Sequence, residues 1–191
     1  MRRARRTAAL TALAATPLLL LSACSGLSGT GDLQYVPGEG NIIEIAEEDR
    51  GEPVELTGES LQGEPVDLAA SRGEVTVVNV WWSGCAPCRA EMPMLVEAEA
   101  AMDDVTFVGI NTRDPGLGTA QAFEREVGVT YPSIYDDTAA PLLAFPAPYQ
   151  PQAMPSTVVL DEEGRVGALV SGEIPSELTL EQVVEGVRVD G

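Results

Sequence analysis

Neither histidine nor lysine occurs in the 191-residue chain: all eleven bases are arginine, set against 30 Asp and Glu, for a formal net charge of −19. Without histidine there is no Ser-His-Asp or Cys-His catalytic site and no histidine-ligated zinc. Three cysteines are too few for a four-thiolate zinc site. Without lysine, Schiff-base chemistry and a phosphate-binding P-loop are excluded as well. The lack of a basic face argues against a nucleic-acid partner, because phosphate binding needs one. Aromatics are sparse at 5%, yet 45% of the residues are hydrophobic, the composition of an ordinary globular domain.

What is present begins with an address. Arg2, Arg3, Arg5 and Arg6 form a positive start, Thr7 to Leu21 is apolar, and Ser22-Ala23 precede Cys24. This is the layout of a secretory signal peptide, expected over residues 1–23. The apolar run falls short of the roughly twenty residues a membrane span needs. Leu21-Ser22-Ala23-Cys24 resembles the bacterial lipobox, which implies that Cys24 becomes the first residue and carries lipid. An ordinary signal cut near Ala23 is the alternative. Cleavage before Cys24 leaves 168 residues with a net charge of −23. Anionic headgroups repel such a surface, so attachment rests on the lipid.

Residues 24–52 are rich in Gly, Glu and Asp and are expected to be a lipid-anchored flexible linker, with Ile42-Ile43-Glu44-Ile45 as an edge strand. One domain is expected over 53–191. Val54-Glu55-Leu56-Thr57 and Pro65-Val66-Asp67-Leu68 alternate around Gly58 and Gly63 and predict a β-hairpin. Val75 to Trp81 and Val105 to Ile110 read as buried strands. Between them, Cys88 to Met102 has helical composition, with Met94, Leu95 and Ala98 at helical spacing. Thr119 is a candidate cap for a helix to Val127. Thr157 to Leu160 and Arg165 to Val170 form a second hairpin about Asp161-Glu162-Glu163-Gly164, and Ser176 or Thr179 starts a last helix to about Val187. The fold class is α/β: a mixed central sheet flanked by helices, with an N-terminal β-hairpin extension.

The chemistry concentrates at Cys85-Ala86-Pro87-Cys88, where a buried strand turns into a helix. Cys85 at the helix start faces unpaired N–H groups and the positive end of the dipole, which favour its thiolate. Cys88, one turn on and partly buried, becomes the attacking group once a mixed disulfide forms. A structural disulfide, or half of a metal site with no second ligand pair, are the other uses of such a pair. Glu91 lies three residues after Cys88, on the same helix face. If half-buried, its pKa rises into the range useful for proton transfer; the alternative is a solvated carboxylate.

Val77-Val78-Asn79-Val80-Trp81 through Cys88-Arg89-Ala90-Glu91-Met92-Pro93, followed by Met154-Pro155-Ser156-Thr157 and the Asp-Glu-Glu-Gly turn, resembles the thioredoxin fold and, within it, the extracytoplasmic TlpA/ResA-like thiol-disulfide oxidoreductases. The resemblance covers residues from about 53 to 189. It implies Cys85 and Cys88 as the redox-active disulfide and Glu91 as the acid-base group. It also implies Pro155 as a cis-proline facing that disulfide, with the Met154 backbone pairing with a substrate strand. Asn79 stands where thioredoxin has an aspartate, and it cannot titrate. Gly84 stands where the family has Trp, and Trp82 where it has a small residue. Either Trp82 covers the site in its place or the site is more open; both are candidate substrate contacts. Pro141 to Pro155, with five prolines, Phe145 and Tyr149, reads as a rim loop.

These features imply a membrane-tethered extracytoplasmic oxidoreductase, a reductase of protein disulfides, with apocytochrome c as leading substrate and a membrane protein as electron donor. No cofactor and no metal are implied. A disulfide donor in oxidative folding, and a non-catalytic lipoprotein stapled by Cys85–Cys88, are the alternatives. A peroxidase of the related fold fits less well, since Ser83-Gly84 does not match its motif.

Overall fold

The computed structural model describes residues 35–38 and 40–188. The signal peptide and Cys24 lie outside the described residues. Seven strands form one mixed sheet: β1 (Tyr35–Gly38), β2 (Gly40–Glu44), β5 (Val75–Trp81), β6 (Val105–Asn111), β7 (Ser133–Tyr135), β8 (Ser156–Leu160) and β9 (Val166–Ser171), in the order β1-β2-β9-β8-β5-β6-β7. β5, β6 and β7 are parallel, whereas β8, β9 and β2 add antiparallel pairings. The short β3 (Thr57–Glu59) and β4 (Pro65–Asp67) form a separate hairpin; its first strand begins where the expected one ended and runs through Gly58, expected at the turn. Among the described residues there are three α-helices: α1 (Ala86–Ala101), α2 (Leu117–Val127) and α3 (Glu177–Val187).

Every residue of β5 is buried, as a run of Val, Thr and Trp interrupted only by Asn79 suits a strand covered on both faces. One face carries Val77, Trp81, Phe107 and Val159, packed against Met92, Leu95, Phe123, Leu180 and Val183, so all three helices feed a single core. The opposite face is covered not by helices but by the chain from Ile45 to Leu68 and by Phe145. The expected sandwich of helices is thus one-sided: both parallel crossovers move in one direction along the sheet, and right-handed connections then place their helices on one face.

Three expectations are corrected. Pairing of β2 with β9, Asn41 opposite Ser171 to Glu44 opposite Ala168, brings residues before Pro53 into the sheet, so the linker does not extend to residue 52. Arg50 fixes the next stretch, donating to the carbonyls of Ile45 and Val187 and pairing with Asp161. α2 starts at Leu117 rather than at a Thr119 cap; the Thr119 N–H is taken by the Gly116 carbonyl. The Pro-rich stretch is not only a rim: a 3-10 turn over Ala140–Ala144 delivers Phe145, 3% exposed, into the second core. β7 was not foreseen, since three residues are too short for a period to be read.

Candidate active site

Cys85 is the N-cap residue of α1, in extended backbone conformation, and its sulfur accepts the Cys88 N–H at 3.1 Å. The two cysteines form a disulfide with Cα atoms 5.2 Å apart. Cys88 is more deeply placed than the sequence suggested, 1% exposed against 6% for Cys85. Ala86 and Pro87 between them are exposed, so the motif lies at the surface with its second sulfur beneath. Pro87 occupies the first turn of the helix, where no N–H partner is lost.

The approach to Cys85 is a turn in which the Cys85 N–H donates to the Trp82 carbonyl at 3.1 Å. Trp82 is half-buried against the helical core, and its ring lies across Gly84: a Cβ there would stand 2.2 Å from Trp82 Cζ3. The exchange of Trp and small residue noted in the sequence is therefore a reciprocal pair. Gly84 is glycine because the indole occupies its side-chain space. Trp81 is fully buried, donates to Ser133 Oγ at 3.3 Å and packs on Phe123, with ring centroids 5.5 Å apart.

Glu91 is buried outright, at 2% exposure, rather than half-buried. Its Oε1 accepts from Asn79 Nδ2 at 2.9 Å and its Oε2 from the Ile174 N–H at 2.6 Å. Among the described residues it makes no ion pair. Loss of water pushes its pKa from 4.5 to about 7; the two hydrogen bonds oppose the rise and nearby Glu173 adds to it. It therefore changes protonation near neutral pH, one helical turn from Cys88. Asn79 also donates to Thr157 Oγ1 at 3.2 Å and leaves its own Oδ1 without a partner.

Pro155 is buried immediately before β8, and the Met154–Pro155 peptide is cis. Ser156 pairs with Val80, so the register brings Pro155 level with Trp81, at the end of β5 from which the motif departs. Met154 is half-buried against both cores. The Gly172 N–H donates to the Pro155 carbonyl at 2.9 Å, so the loop that holds Glu91 through Ile174 also holds Pro155.

Two participants escaped the sequence reading. Asp114, 1% exposed, accepts from the Ser83 N–H and hydroxyl and from Asn111 Nδ2. Arg89 lies over the Phe123 ring at 4.5 Å, pairs with Glu126 at 3.2 Å and donates to the Ser83 carbonyl. The trace of Asp114 in the sequence was a polar Asn-Thr-Arg-Asp cluster closing a buried strand, which reads equally as a solvated turn. Among the described residues no group of three or more Cys, Asp or Glu is placed to hold a metal ion.

The Redoxin family matches residues 46–185. Among solved structures the chain is similar to a DsbF homologue from Corynebacterium diphtheriae, at 37% identity and a TM-score of 0.67, with 79% of this chain and 96% of that one covered. It is also similar to a secreted thiol-disulfide isomerase from Corynebacterium glutamicum, at 33% identity and a TM-score of 0.65, with 81% of this chain and 96% of that one covered. The thiol-disulfide oxidoreductase ResA of Halalkalibacterium halodurans is 26% identical over 132 residues, 68% of this chain and 72% of that protein. A dithiol/disulfide at a helix start, on a thioredoxin-like sheet, in a sequence matched along most of its length, places the chain in the Redoxin family as a thiol-disulfide oxidoreductase.

Proposed function

We propose that this protein works outside the cytoplasm, anchored through lipid on Cys24, as a reductase of disulfides in exported proteins. The observation that carries the direction is the charge around the motif. Glu91 and Asp114 are buried carboxylates near it, and Arg89, one residue after Cys88, is already paired with Glu126. Carboxylates oppose a thiolate, so they favour the disulfide over the reduced pair, and a stable disulfide makes its dithiol a strong reductant.

In the proposed cycle the Cys85 thiolate attacks a substrate disulfide, one substrate sulfur leaves with the electron pair of the broken bond and takes up a proton, and a mixed disulfide forms. Cys88 then gives its proton to Glu91 and attacks Cys85 Sγ. The Cys85–Cys88 bond forms as the second substrate thiol is released. The substrate gains two electrons and the dithiol loses two, which a membrane electron donor restores. Met154 and the cis-Pro155 rim, with Trp82 and Gly84, form the surface for the substrate chain, whose backbone would pair with Met154. Apocytochrome c, an exported protein with a cysteine pair, is the proposed substrate.

The test is the reduction potential of the Cys85–Cys88 pair, by equilibration in thiol redox buffers. A value near or below roughly −270 mV, that of thioredoxin, supports the reductase. One near roughly −120 mV makes the protein a disulfide donor. That second reading has support of its own in the likeness to a DsbF homologue and to a secreted thiol-disulfide isomerase at 37% and 33% identity.

A further inference from the structure

The peptide unit of Ser83, two residues before the exposed cysteine, is gripped at both ends. Its N–H donates to Asp114 Oδ2 at 2.9 Å and its hydroxyl to Asp114 Oδ1 at 2.5 Å. Its carbonyl accepts from Arg89 at 3.3 Å. Asn111 Nδ2 adds a bond of 2.7 Å to Asp114 Oδ2, so both carboxylate oxygens are engaged. Asn111 pairs in register with Trp81, and the Thr112 N–H donates to the Trp81 carbonyl at 3.1 Å. The chain reaches this arrangement through Arg113, a non-glycine residue held in the left-handed region at φ 68°. Such a conformation is unfavourable for arginine and persists where the surroundings impose it. Here it turns the chain after β6 back toward the motif.

We propose that Asp114 is a positioning residue for Cys85. By holding Ser83 it fixes the Trp82–Cys85 turn and keeps the Cys85 sulfur over Cys88, which raises the effective concentration of one thiol at the other and favours the disulfide. Its charge acts in the same direction, because a buried carboxylate beside the turn disfavours a thiolate in the reduced pair. Other charged groups around the motif are Arg89 and Glu91 on α1, Glu126 on α2, Arg113 next to Asp114 and Glu173 near Glu91, and among the described residues none of them hydrogen-bonds the Ser83 N–H or hydroxyl.

The test compares the full-length protein with its Ser83→Ala, Ser83→Thr, Asp114→Asn and Ser83→Ala/Asp114→Asn variants in glutathione buffers, with melting temperature recorded alongside. The equilibrium constant for disulfide formation falls about fivefold in Ser83→Ala, the worth of one hydrogen bond, and about tenfold in Asp114→Asn. The double variant falls no further than Asp114→Asn, because both changes cut one link. Ser83→Thr, which keeps the hydroxyl, retains the wild-type value. Unchanged equilibrium constants with a lowered melting temperature would make Asp114 a brace without hold on the redox pair and end the proposal. Should Asp114→Asn fail to fold, the Ser83→Ala and Ser83→Thr pair decides alone. The inference rests on the dithiol chemistry: a wild-type pair inert to glutathione removes that reading, whereas an active wild type with unchanged variants removes only this one.

Discussion

Asp161 and Glu91 are both buried carboxylates, and they occupy opposite ends of the same sheet. Asp161 follows β8, where Leu160 lies opposite Thr76 at the start of β5. Its side chain has no exposure, and it meets Arg50 at 3.1 Å and Arg165 at 2.8 Å, with the N–H groups of Glu163 and Arg165 as further donors. Glu91, at the other end, has two neutral donors and, among the described residues, no ion pair. Of the four buried side-chain oxygens without a hydrogen-bond partner among the described residues, three lie at that same end, Asn79 Oδ1, Asn111 Oδ1 and Thr112 Oγ1; the fourth is Glu124 Oε1 on α2. One end of the sheet neutralises its buried carboxylate with two arginines and so holds the chain together. The other leaves an acid unneutralised, able to change protonation near pH 7, beside a reactive cysteine pair.

The comparison breaks if changes at the two ends have the same kind of effect. The largest expected effect is that of Cys85→Ser, which abolishes disulfide exchange while leaving the fold intact; Cys88→Ser instead accumulates a mixed disulfide that non-reducing electrophoresis of trapped complexes detects. Residual turnover in Cys85→Ser would show that the attack order is reversed. At the far end, Asp161→Asn leaves Arg50, 4% exposed in its side chain, without its counter-charge. It should lower unfolding free energy in urea by about 3–5 kcal/mol yet leave the exchange rate per folded molecule unchanged.

Glu91→Gln should do the reverse: slow exchange by about a hundredfold and remove the inflection near pH 7 from its pH profile. Its effect on stability has a defined sign. The folded-state pKa, about 7, lies above the unfolded 4.5, so the native protein holds the extra proton and loses stability as pH rises from 4.5 through 7. Relative to acid, the ionised Glu91 costs about 3 kcal/mol above pH 7. The Gln variant should therefore show a flatter dependence of stability on pH across that window. A wild-type slope retained in Glu91→Gln would assign the titration to another group. The smallest effect is expected for Gly84→Ala, where the new Cβ displaces the Trp82 ring: tryptophan fluorescence shifts, while the exchange rate changes no more than about threefold.

Most of the central sheet was legible because its strands are long and apolar. β5 and β6 announce themselves as β-branched runs, and the Cys pair gains its meaning from lying where β5 gives way to a helix. β1 and β7 were not legible as strands: β1 carries Pro37 and Gly38, which weaken a strand pattern, and β7 has only three residues and pairs with β6 24 positions earlier. Likewise Glu91 could be placed on the face of Cys88 by counting, but its depth depends on Ile174, 83 positions away. Asp114 was missed for the same reason: a carboxylate in a polar turn looks solvated until the chain it clasps is known to lie against it. The Trp82–Gly84 exchange was visible as a departure from the family, and only the packing explains it as a single substitution in two parts.

The loop after β9 also serves as a gauge of length. Gly172 and Ile174, two residues apart, bond the Pro155 carbonyl and the Glu91 carboxylate. Two residues of chain span at most about 7 Å, so the two acceptors are held to a fixed separation. One sits immediately before β8 and the other on the helix that carries the second cysteine. Sliding of that helix along the sheet must therefore stretch or break one of two short bonds, and the spacing between Pro155 and Glu91 is set by the chain itself.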